Sequence, residues 1–306
     1  MKELILNNTL YGYNNNFNFF INLYQKKIFP SKVIFSGPKG IGKSTFAKTF
    51  VNLIISGDKL TEYDDQNLIN YDNNNLKKFF QQNYFLIDVL ENKKIIDIEQ
   101  IRNLILYSQK QTLNNTPRFV VIDNVEKLNK NSANALLKIL EEPFENMYFI
   151  LIHDNKYKIF ETINSRCIKF NIFFTHEQTI DIVNKLLNIN IREHINKSFI
   201  NNYNSVGDLI NLYNYSLIND IDLNKVSLKE FINFLITEKK YLKDQNILLL
   251  CIKLIETMFY DNFLKSKDIK SYKLYKYFSE KFFSTNKYNL DLETLFIEIK
   301  ASSINE

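Results

Sequence analysis

Cysteine is scarce in this 306-residue chain, and its scarcity argues against two classes of protein. Only Cys167 and Cys251 occur, too few for a disulfide framework or a four-thiolate zinc site. Lysines and acidic residues interrupt each apolar run before it reaches membrane-spanning length, and the first residues do not predict a signal peptide. We therefore expect a cytoplasmic protein that has no membrane contact and binds no zinc.

Tryptophan is absent and arginine is rare, although Lys and Arg together number 39. This bias is typical of AT-rich coding, in which lysine takes the place of arginine. An arginine kept in such a chain indicates a position where the planar guanidinium is needed, since an ammonium cannot copy its fork. The four positions are Arg102, Arg118, Arg166 and Arg192. The net charge of +5 suits a nucleic-acid partner without requiring one.

The first half of the chain alternates short apolar runs with helical patterns, and 45% of all residues are hydrophobic. Strands that are apolar throughout are typical of a parallel sheet covered by helices on both faces. The pattern therefore predicts an α/β fold with a five-stranded parallel sheet, and a loop over the Asn-rich residues 63–75. The predicted strands are 32–37, 83–89, 118–123, 147–153 and 167–173.

Beyond residue 173 the strand signals stop and amphipathic helical patterns take over, as in residues 246–260. We expect three domains. The α/β domain covers residues 1–173, a small helical lid covers 174–222, and an all-α domain covers 223–306.

The strongest motif is GPKGIGKS, residues 37–44, which fits the P-loop pattern GxxxxGK[ST] and stands between a predicted strand and a predicted helix. Backbone N–H groups of such a loop surround phosphate oxygens, and the helix N-terminus adds positive potential. The alternative is a strand-to-helix turn that binds no nucleotide. The predicted nucleotide-binding residues are Gly37, Pro38, Lys39, Gly40, Ile41, Gly42, Lys43, Ser44, Thr45 and Asp123.

Asp123 ends the third predicted strand, where P-loop proteins carry an acid that holds magnesium. Together with the Ser44 hydroxyl it predicts a Mg²⁺ site that forms with bound ATP. A capping or loop aspartate is the alternative reading of Asp123.

Two segments carry a family resemblance. VIDNVEKLNKNSANALLKILEEP (121–143) and FETINSRCIKF (160–170) resemble the clamp-loader branch of the AAA+ proteins, above all the delta-prime family of bacterial DNA polymerase III. The resemblance is strong over residues 28–170. It implies a RecA-like domain, a helical lid and a collar that joins gamma/tau, delta and this chain in a hetero-pentameric ring. That ring loads the sliding clamp on primed DNA.

Three positions depart from the working ATPase subunit of that family. Asn124 follows Asp123 where a catalytic glutamate is expected, and Glu126 is too distant along the chain to replace it easily. An amide can orient water but cannot accept its proton. Gly207 stands near the position of a lid arginine that touches nucleotide, and His153 stands near a sensor position. We expect ATP binding with little hydrolysis. An autonomous motor subunit and an ATP-independent scaffold remain the alternatives.

Arg166 matches the arginine that clamp loaders project toward the ATP of a neighbouring subunit. The resemblance implies a trans arginine finger, whereas the alternative is a structural arginine that bridges carboxylates.

Residues 45–117 lack the four cysteines of the zinc module that many such subunits carry, which again predicts no zinc. The lysines of residues 265–276 indicate either a solvated helix face or a DNA patch. Arg102 could face DNA or another subunit.

Overall fold

The structure is a computed structural model that describes eight stretches of the chain. These are residues 10–56, 82–90, 93–109, 116–142, 145–200, 204–242, 245–288 and 291–303. The predicted loop at 63–75 lies outside the described residues. The chain divides into two compact units, of which one comprises Leu6–Leu186 with Ser205–Gly207. The other comprises Leu187–Asn204, Asp208–Glu306 and Met1–Ile5.

The first unit contains a five-stranded sheet in the order β2-β3-β4-β1-β5, with all neighbouring strands parallel. Each strand lies where the apolar pattern predicts it, so the predicted α/β fold is confirmed. The strands are β1 (Lys32–Gly37), β2 (Tyr84–Ile87), β3 (Arg118–Ile122), β4 (Met147–Asp154) and β5 (Ile168–Asn171).

Helices connect the strands and cover the sheet. The helices of this unit are α1 (Asn14–Gln25), α2 (Lys43–Ser56), α3 (Ile98–Ser108), α4 (Lys130–Glu141), α5 (Glu161–Asn164) and α6 (His176–Leu187), which ends at the unit boundary. A 3₁₀ turn, Val125–Lys127, follows β3.

Both faces of the sheet carry a core, because successive side chains of a strand point to opposite faces. Phe119 and Val121 of β3 pack with α1 and α2, whereas Val120 and Ile122 pack with α3 and α4. The edge strand β5 departs from the prediction of full burial, since three of its four residues are exposed.

Helix α4 shows how the sequence sets one of these layers. The Asn129 side chain accepts a hydrogen bond from the Ser132 N–H at 2.8 Å and so caps the helix N-terminus. Ala133, Leu136 and Leu140 recur at helical spacing and are fully buried against the sheet. The predicted stop at Pro143 lies outside the described residues.

In its described residues the second unit is helical. Its helices are α7 (Ile191–His194), α8 (Val206–Ile218, which begins in the first unit), α9 (Leu228–Thr237), α10 (Gln245–Ser266), α11 (Ile269–Tyr288) and α12 (Leu292–Ser303), with 3₁₀ turns at Lys197–Phe199 and Lys240–Leu242. The predicted lid–collar boundary at residues 222/223 stays a prediction. Within the described stretches, none of the helices is long and apolar enough to cross a membrane.

Candidate nucleotide site

The carboxyl ends of the parallel strands bring the predicted site residues to one edge of the sheet. Gly37 at the end of β1 pairs in register with Asp154 at the end of β4. The N–H of Asp123, directly after β3, donates to the Ile87 carbonyl of β2 at 2.8 Å. The P-loop begins at this edge, so it lies beside the acidic strand ends, as in other open parallel sheets that bind ligands there.

Lys43 is turned inward at the base of the P-loop. Its ammonium donates to the carbonyl oxygens of Gly37 at 2.8 Å and Pro38 at 2.6 Å, and the side chain is only 6% exposed. Burial lowers the pKa of Lys43, whereas the nearby Asp154 and Asp123 raise it. The phosphate oxygens of a bound nucleotide would compete with these two carbonyl oxygens for the N–H donors of Lys43.

Two further contacts hold the middle of the loop. The Tyr13 hydroxyl donates to the Ile41 carbonyl at 2.9 Å, and its ring stacks on Phe46 of α2 at a centroid distance of 4.7 Å. The Gly207 N–H donates to the Gly40 carbonyl at 2.8 Å. With their carbonyls engaged in this way, the loop peptides are fixed in orientation, which is the preorganisation that an anion-binding loop needs.

The predicted magnesium ligands lie together. The Asp123 carboxylate accepts hydrogen bonds from the Ser44 side chain and from the Asn124 N–H, the latter at 2.8 Å. Burial is the main cause of the raised pKa of Asp123, with a smaller contribution from the charge of Asp88, and the Ser44 hydrogen bond opposes both. A hydroxyl beside a carboxylate suits Mg²⁺, whose other ligands would be phosphate oxygens and water.

Among the residues that the structure describes, no wider metal site surrounds this pair. No group of three or more His, Cys, Asp or Glu side chains in the described stretches is placed to hold a metal ion. A magnesium ion at Ser44 and Asp123 would therefore need the nucleotide to complete its ligands. That zinc is absent from the protein remains a prediction.

Asn124, the residue in place of the expected glutamate, is directed along the sheet edge. It has a left-handed backbone with φ of 54°, and its Nδ2 donates to Asp88 Oδ1 at 2.7 Å. Glu126 accepts a hydrogen bond from the Asp154 N–H at 3.2 Å, and burial raises its pKa. Position 124 therefore presents an amide, and the Glu126 carboxylate is engaged by the backbone at the end of β4.

His153 is buried at the end of β4. Its Nδ1 lies 2.9 Å from Ser36 Oγ and its Nε2 lies 2.9 Å from the Tyr157 carbonyl oxygen. Burial is the main cause that lowers its pKa, which favours the neutral ring. His153 therefore joins β1 to the loop after β4, and its sensor role stays a prediction.

Arg166 lies between α5 and β5. Its Nη2 forms an ion pair with Glu141 Oε1 at 2.7 Å, and its Nη1 donates to the Thr162 carbonyl at 2.8 Å. The side chains of both charged partners are partly exposed, 34% and 52%, and such pairs contribute about 0–1 kcal/mol. The pair is therefore weak enough to be exchanged for a stronger anionic partner.

The residues that flank Arg166 make local contacts. Cys167 is half-buried against the core beside α4, and burial raises its pKa to about 11. The Ser165 hydroxyl donates to the Thr162 carbonyl at 3.2 Å. A thiol with a raised pKa is mostly protonated at neutral pH, so Cys167 is a poor nucleophile.

The predicted surface residues are exposed. Arg102 forms a surface ion pair with Glu99 at 3.2 Å. Most residues of 265–276 are exposed, which fits the solvated helix face. Whether that face or Arg102 meets DNA stays a prediction.

Sequence reasoning missed Tyr13 and Asp88. Tyr13 meets the P-loop from 28 residues away, and no local pattern signals that contact. Asp88 was missed because the predicted strand 83–89 runs past it, whereas β2 ends at Ile87 beside β3 and leaves Asp88 at the same sheet edge as Asp123.

Residues 12–175 match the family described as DNA polymerase III, delta subunit. The chain is 34% identical over 165 residues to DNA polymerase III subunit delta' of Buchnera aphidicola subsp. Baizongia pistaciae, covering 51% of this chain and 45% of that protein. It is 28% identical over 224 residues to subunit gamma of Buchnera aphidicola subsp. Schizaphis graminum, covering 68% and 57%. The matches thus span about half the length of these curated relatives.

Among solved structures, a DNA polymerase III, gamma subunit-related protein from Thermotoga maritima superposes with a TM-score of 0.51 at 12% identity. The superposition covers 94% of this chain and 98% of that one, and at this identity it shows the fold alone. The family match covers more than half of the chain and includes both the P-loop and Arg166, so the resemblance found in the sequence is confirmed. The chain therefore belongs to the DNA polymerase III delta subunit family.

Proposed function

We propose that this chain is a delta-prime type subunit of a bacterial DNA polymerase III clamp loader that holds ATP with Mg²⁺ without hydrolysing it. In the assembled ring it supplies Arg166 to the ATP site of a neighbouring subunit. The family match and the delta' relatives support the assignment. Its partners would be gamma/tau and delta subunits, and through the ring the sliding clamp and primed DNA.

One observation carries the non-hydrolysing part of the proposal. Beside a complete P-loop, position 124 presents an amide whose Nδ2 is already bound to Asp88. General-base catalysis contributes about 10²–10⁴ in rate, and an amide cannot take a proton from the attacking water. Because the P-loop residues that bind ATP are present and the general base at position 124 is not, we expect ATP to bind and to remain unhydrolysed.

The ATP-binding part depends on groups that are already oriented. Lys43 would exchange the carbonyl oxygens of Gly37 and Pro38 for phosphate oxygens, and Ser44 with Asp123 would hold the magnesium ion. The ion would neutralise phosphate charge when bound. Lys43 would give up its hydrogen bonds to Gly37 and Pro38 when ATP binds. We therefore expect a moderate rather than a very tight affinity for ATP.

The role of Arg166 depends on its accessibility. The guanidinium lies at the surface of the first unit, and its exposed ion pair with Glu141 costs little to break. The phosphoryl group in the transition state of ATP hydrolysis carries more negative charge than the Glu141 carboxylate. Its oxygens also suit the planar guanidinium of Arg166.

A gamma/tau-like motor is the second candidate. It is favoured by the gamma relative, whose match covers more of this chain than the delta' match does. A reconstituted ring decides between the two. If the chain is of the delta-prime type, it enters the complex with delta and gamma/tau, and the complex fails to load clamps when the chain is omitted. A motor would replace gamma/tau instead and hydrolyse ATP by itself.

A further inference from the structure

A lysine-rich stretch of the second unit takes no part in the nucleotide site. Residues 265–277 contain five lysines and a single acidic residue, Asp268, whereas the net charge of the whole chain is +5. The net charge of this short stretch therefore nearly equals that of the whole chain. The exposed lysines are Lys265, Lys267, Lys270, Lys273 and Lys276.

The helix geometry arranges these lysines in a row. Lys270, Lys273 and Lys276 are three residues apart on α11, so they form one inclined ridge with Cβ atoms about 5–6 Å apart. Lys267 lies in the turn that joins α10 to α11. A row of positive charges at this spacing suits a chain of anionic groups better than a single anion.

Little of this charge is neutralised within the part of the chain that the structure describes. Lys276 pairs with Glu280 at 3.8 Å on the surface, a weak type of ion pair. Asp268 is used by the backbone, because its carboxylate accepts a hydrogen bond from the Ser271 N–H at the start of α11. The lysines that form no ion pair among the described residues are Lys267, Lys270 and Lys273.

An aromatic ring lies beside the lysine ridge. A shallow groove on the surface of α11 is lined by Ile269, Lys270, Lys273, Leu274 and Tyr277. Tyr277 is 45% exposed, and its hydroxyl donates to Glu298 of α12 at 2.6 Å. The ammonium of Lys281 lies 5.0 Å from the ring centroid. These two contacts hold the ring in one orientation while part of its surface stays open to solvent.

We propose that this face of α11, with Lys267 in the preceding turn, binds single-stranded nucleic acid. The lysines meet phosphates of the strand, and the Tyr277 ring stacks on a base, the combination that binds single strands without regard to sequence. A duplex offers the same phosphates, but its bases are already stacked on each other. The site contains no P-loop residue, so the proposal does not depend on ATP binding.

Two other anionic partners fit this face less well. An anionic membrane would need a free apolar face on α11, and that face is already buried. Phe278 stacks on Phe259 of α10 at 4.8 Å, and Phe282 lies 6.1 Å from Phe296 of α12. An acidic peptide would match the lysines but offers no flat group for the ring of Tyr277.

The test is fluorescence anisotropy of a labelled single-stranded DNA of mixed sequence, about 20 nucleotides long, titrated with the full-length chain. Three phosphate contacts predict a Kd that rises roughly 20-fold between about 50 and about 200 mM salt. The combined variant Lys267→Gln, Lys270→Gln and Lys273→Gln should bind at least about 10-fold more weakly at the lower salt concentration. It should also lose most of the salt dependence.

A matched control removes the same charge from the first unit. It combines Lys26→Gln, Lys48→Gln and Lys138→Gln, three exposed lysines. This protein should bind the DNA within about 2-fold of the parent, because charges far from the bound strand are screened by salt. Thermal melting of both triple variants near that of the parent shows that each is folded.

Substitutions of Tyr277 test the stacking contact. Tyr277→Phe keeps the ring and should bind like the parent, whereas Tyr277→Leu should bind at least about 5-fold more weakly. Polyglutamate of matched charge should compete poorly with the DNA. Saturating ATP with Mg²⁺ should not displace the DNA, since the nucleotide site is built from other residues.

The proposal is overturned if the chain does not bind the DNA, or if the two triple variants weaken binding equally. Unchanged binding by Tyr277→Leu, or equal competition by polyglutamate, would assign the face to an acidic protein partner instead. Displacement by ATP would assign the DNA to the P-loop. A chain that binds the DNA as described but binds no ATP would contradict only the proposed function.

Discussion

The backbone N–H of Gly207 donates to the carbonyl oxygen of Gly40, so the start of α8 is bound directly to the P-loop at 2.8 Å. A Cβ added at Gly207 would lie 3.1 Å from both the Cα and the carbonyl oxygen of Gly40. This is tighter than ordinary van der Waals contact. The glycine therefore allows the close approach of α8 to the P-loop.

Gly207→Ala should destabilise the protein by about 1 kcal/mol, a fall of about 2–4 °C in melting temperature, because the P-loop backbone must give way. Helix propensity alone predicts the opposite, since alanine is better than glycine in a helix. Thermal melting checks the sign, with the exposed Asn211→Ala on the same helix as the control. A rise in melting temperature would show that the contact does not constrain position 207.

Arg166→Ala should leave the chain folded and able to enter the clamp-loader complex, yet lower the DNA- and clamp-stimulated ATPase of that complex. Arginine fingers contribute roughly 10³–10⁵ in rate at one site. The loss over the whole ring should be partial, because other sites take their arginines from other subunits. Steady-state hydrolysis by reconstituted complexes is the measurement, and Arg166→Lys should rescue poorly.

Glu141→Gln is the matched control for Arg166. It removes the ion pair of Arg166 but keeps the guanidinium, so the ATPase of the complex should stay near that of the parent. Unchanged hydrolysis in Arg166→Ala would contradict the role of Arg166 as a trans arginine finger. So would a loss of equal size in Glu141→Gln, because Arg166 would then act only through its ion pair with Glu141.

Arg118 tests the expectation that a rare arginine is kept where lysine would fail. It is 6% exposed, and its Nη1 donates to the carbonyls of Tyr107 and Ser108 at 3.2 Å, with the guanidinium 5.8 Å from the Tyr107 ring centroid. Arg118→Lys should lower the unfolding free energy by about 1–2 kcal/mol. Arg102→Lys, at an exposed ion pair, should change it by less than about 0.5 kcal/mol. Equal melting of the two variants would contradict this reading.

The raised pKa of Asp123 predicts how stability depends on pH. The folded protein binds the Asp123 proton more tightly than the unfolded chain, since burial is the main cause of the shift. This contribution stabilises the fold below the usual aspartate range and is lost as pH rises through the folded pKa. Without nucleotide, Asp123→Asn should therefore melt higher than the parent at pH 7 and gain little at pH 4. A gain that does not change with pH would contradict the assignment.

The sequence predicted the frame of the site better than its contacts. The five strands and the P-loop carry strong local signals, namely apolar runs of strand length and a glycine pattern between strand and helix. Asp123 follows from its position after β3. These features depend on residues close together in the chain, and the structure places each of them as expected.

Contacts between distant segments could not be predicted in the same way. Tyr13 reaches Ile41, and Gly207 reaches Gly40, across long stretches of chain, and only packing brings them together. The exposure of β5 depends on its place at the sheet edge, which its apolar pattern does not reveal. The partner of Asn124 is likewise set by the order of strands rather than by any motif.

Whether this chain binds ATP without turning it over is decided by equilibrium binding of labelled ATP with Mg²⁺ and steady-state hydrolysis, measured on the same preparation. We expect saturable binding that weakens at least about 10-fold in Lys43→Ala and is unchanged in Lys48→Ala, an exposed lysine on the same helix. Hydrolysis should be negligible in all three proteins. Robust turnover by the pure chain that disappears in Lys43→Ala, or the absence of saturable binding in the parent, would contradict this expectation.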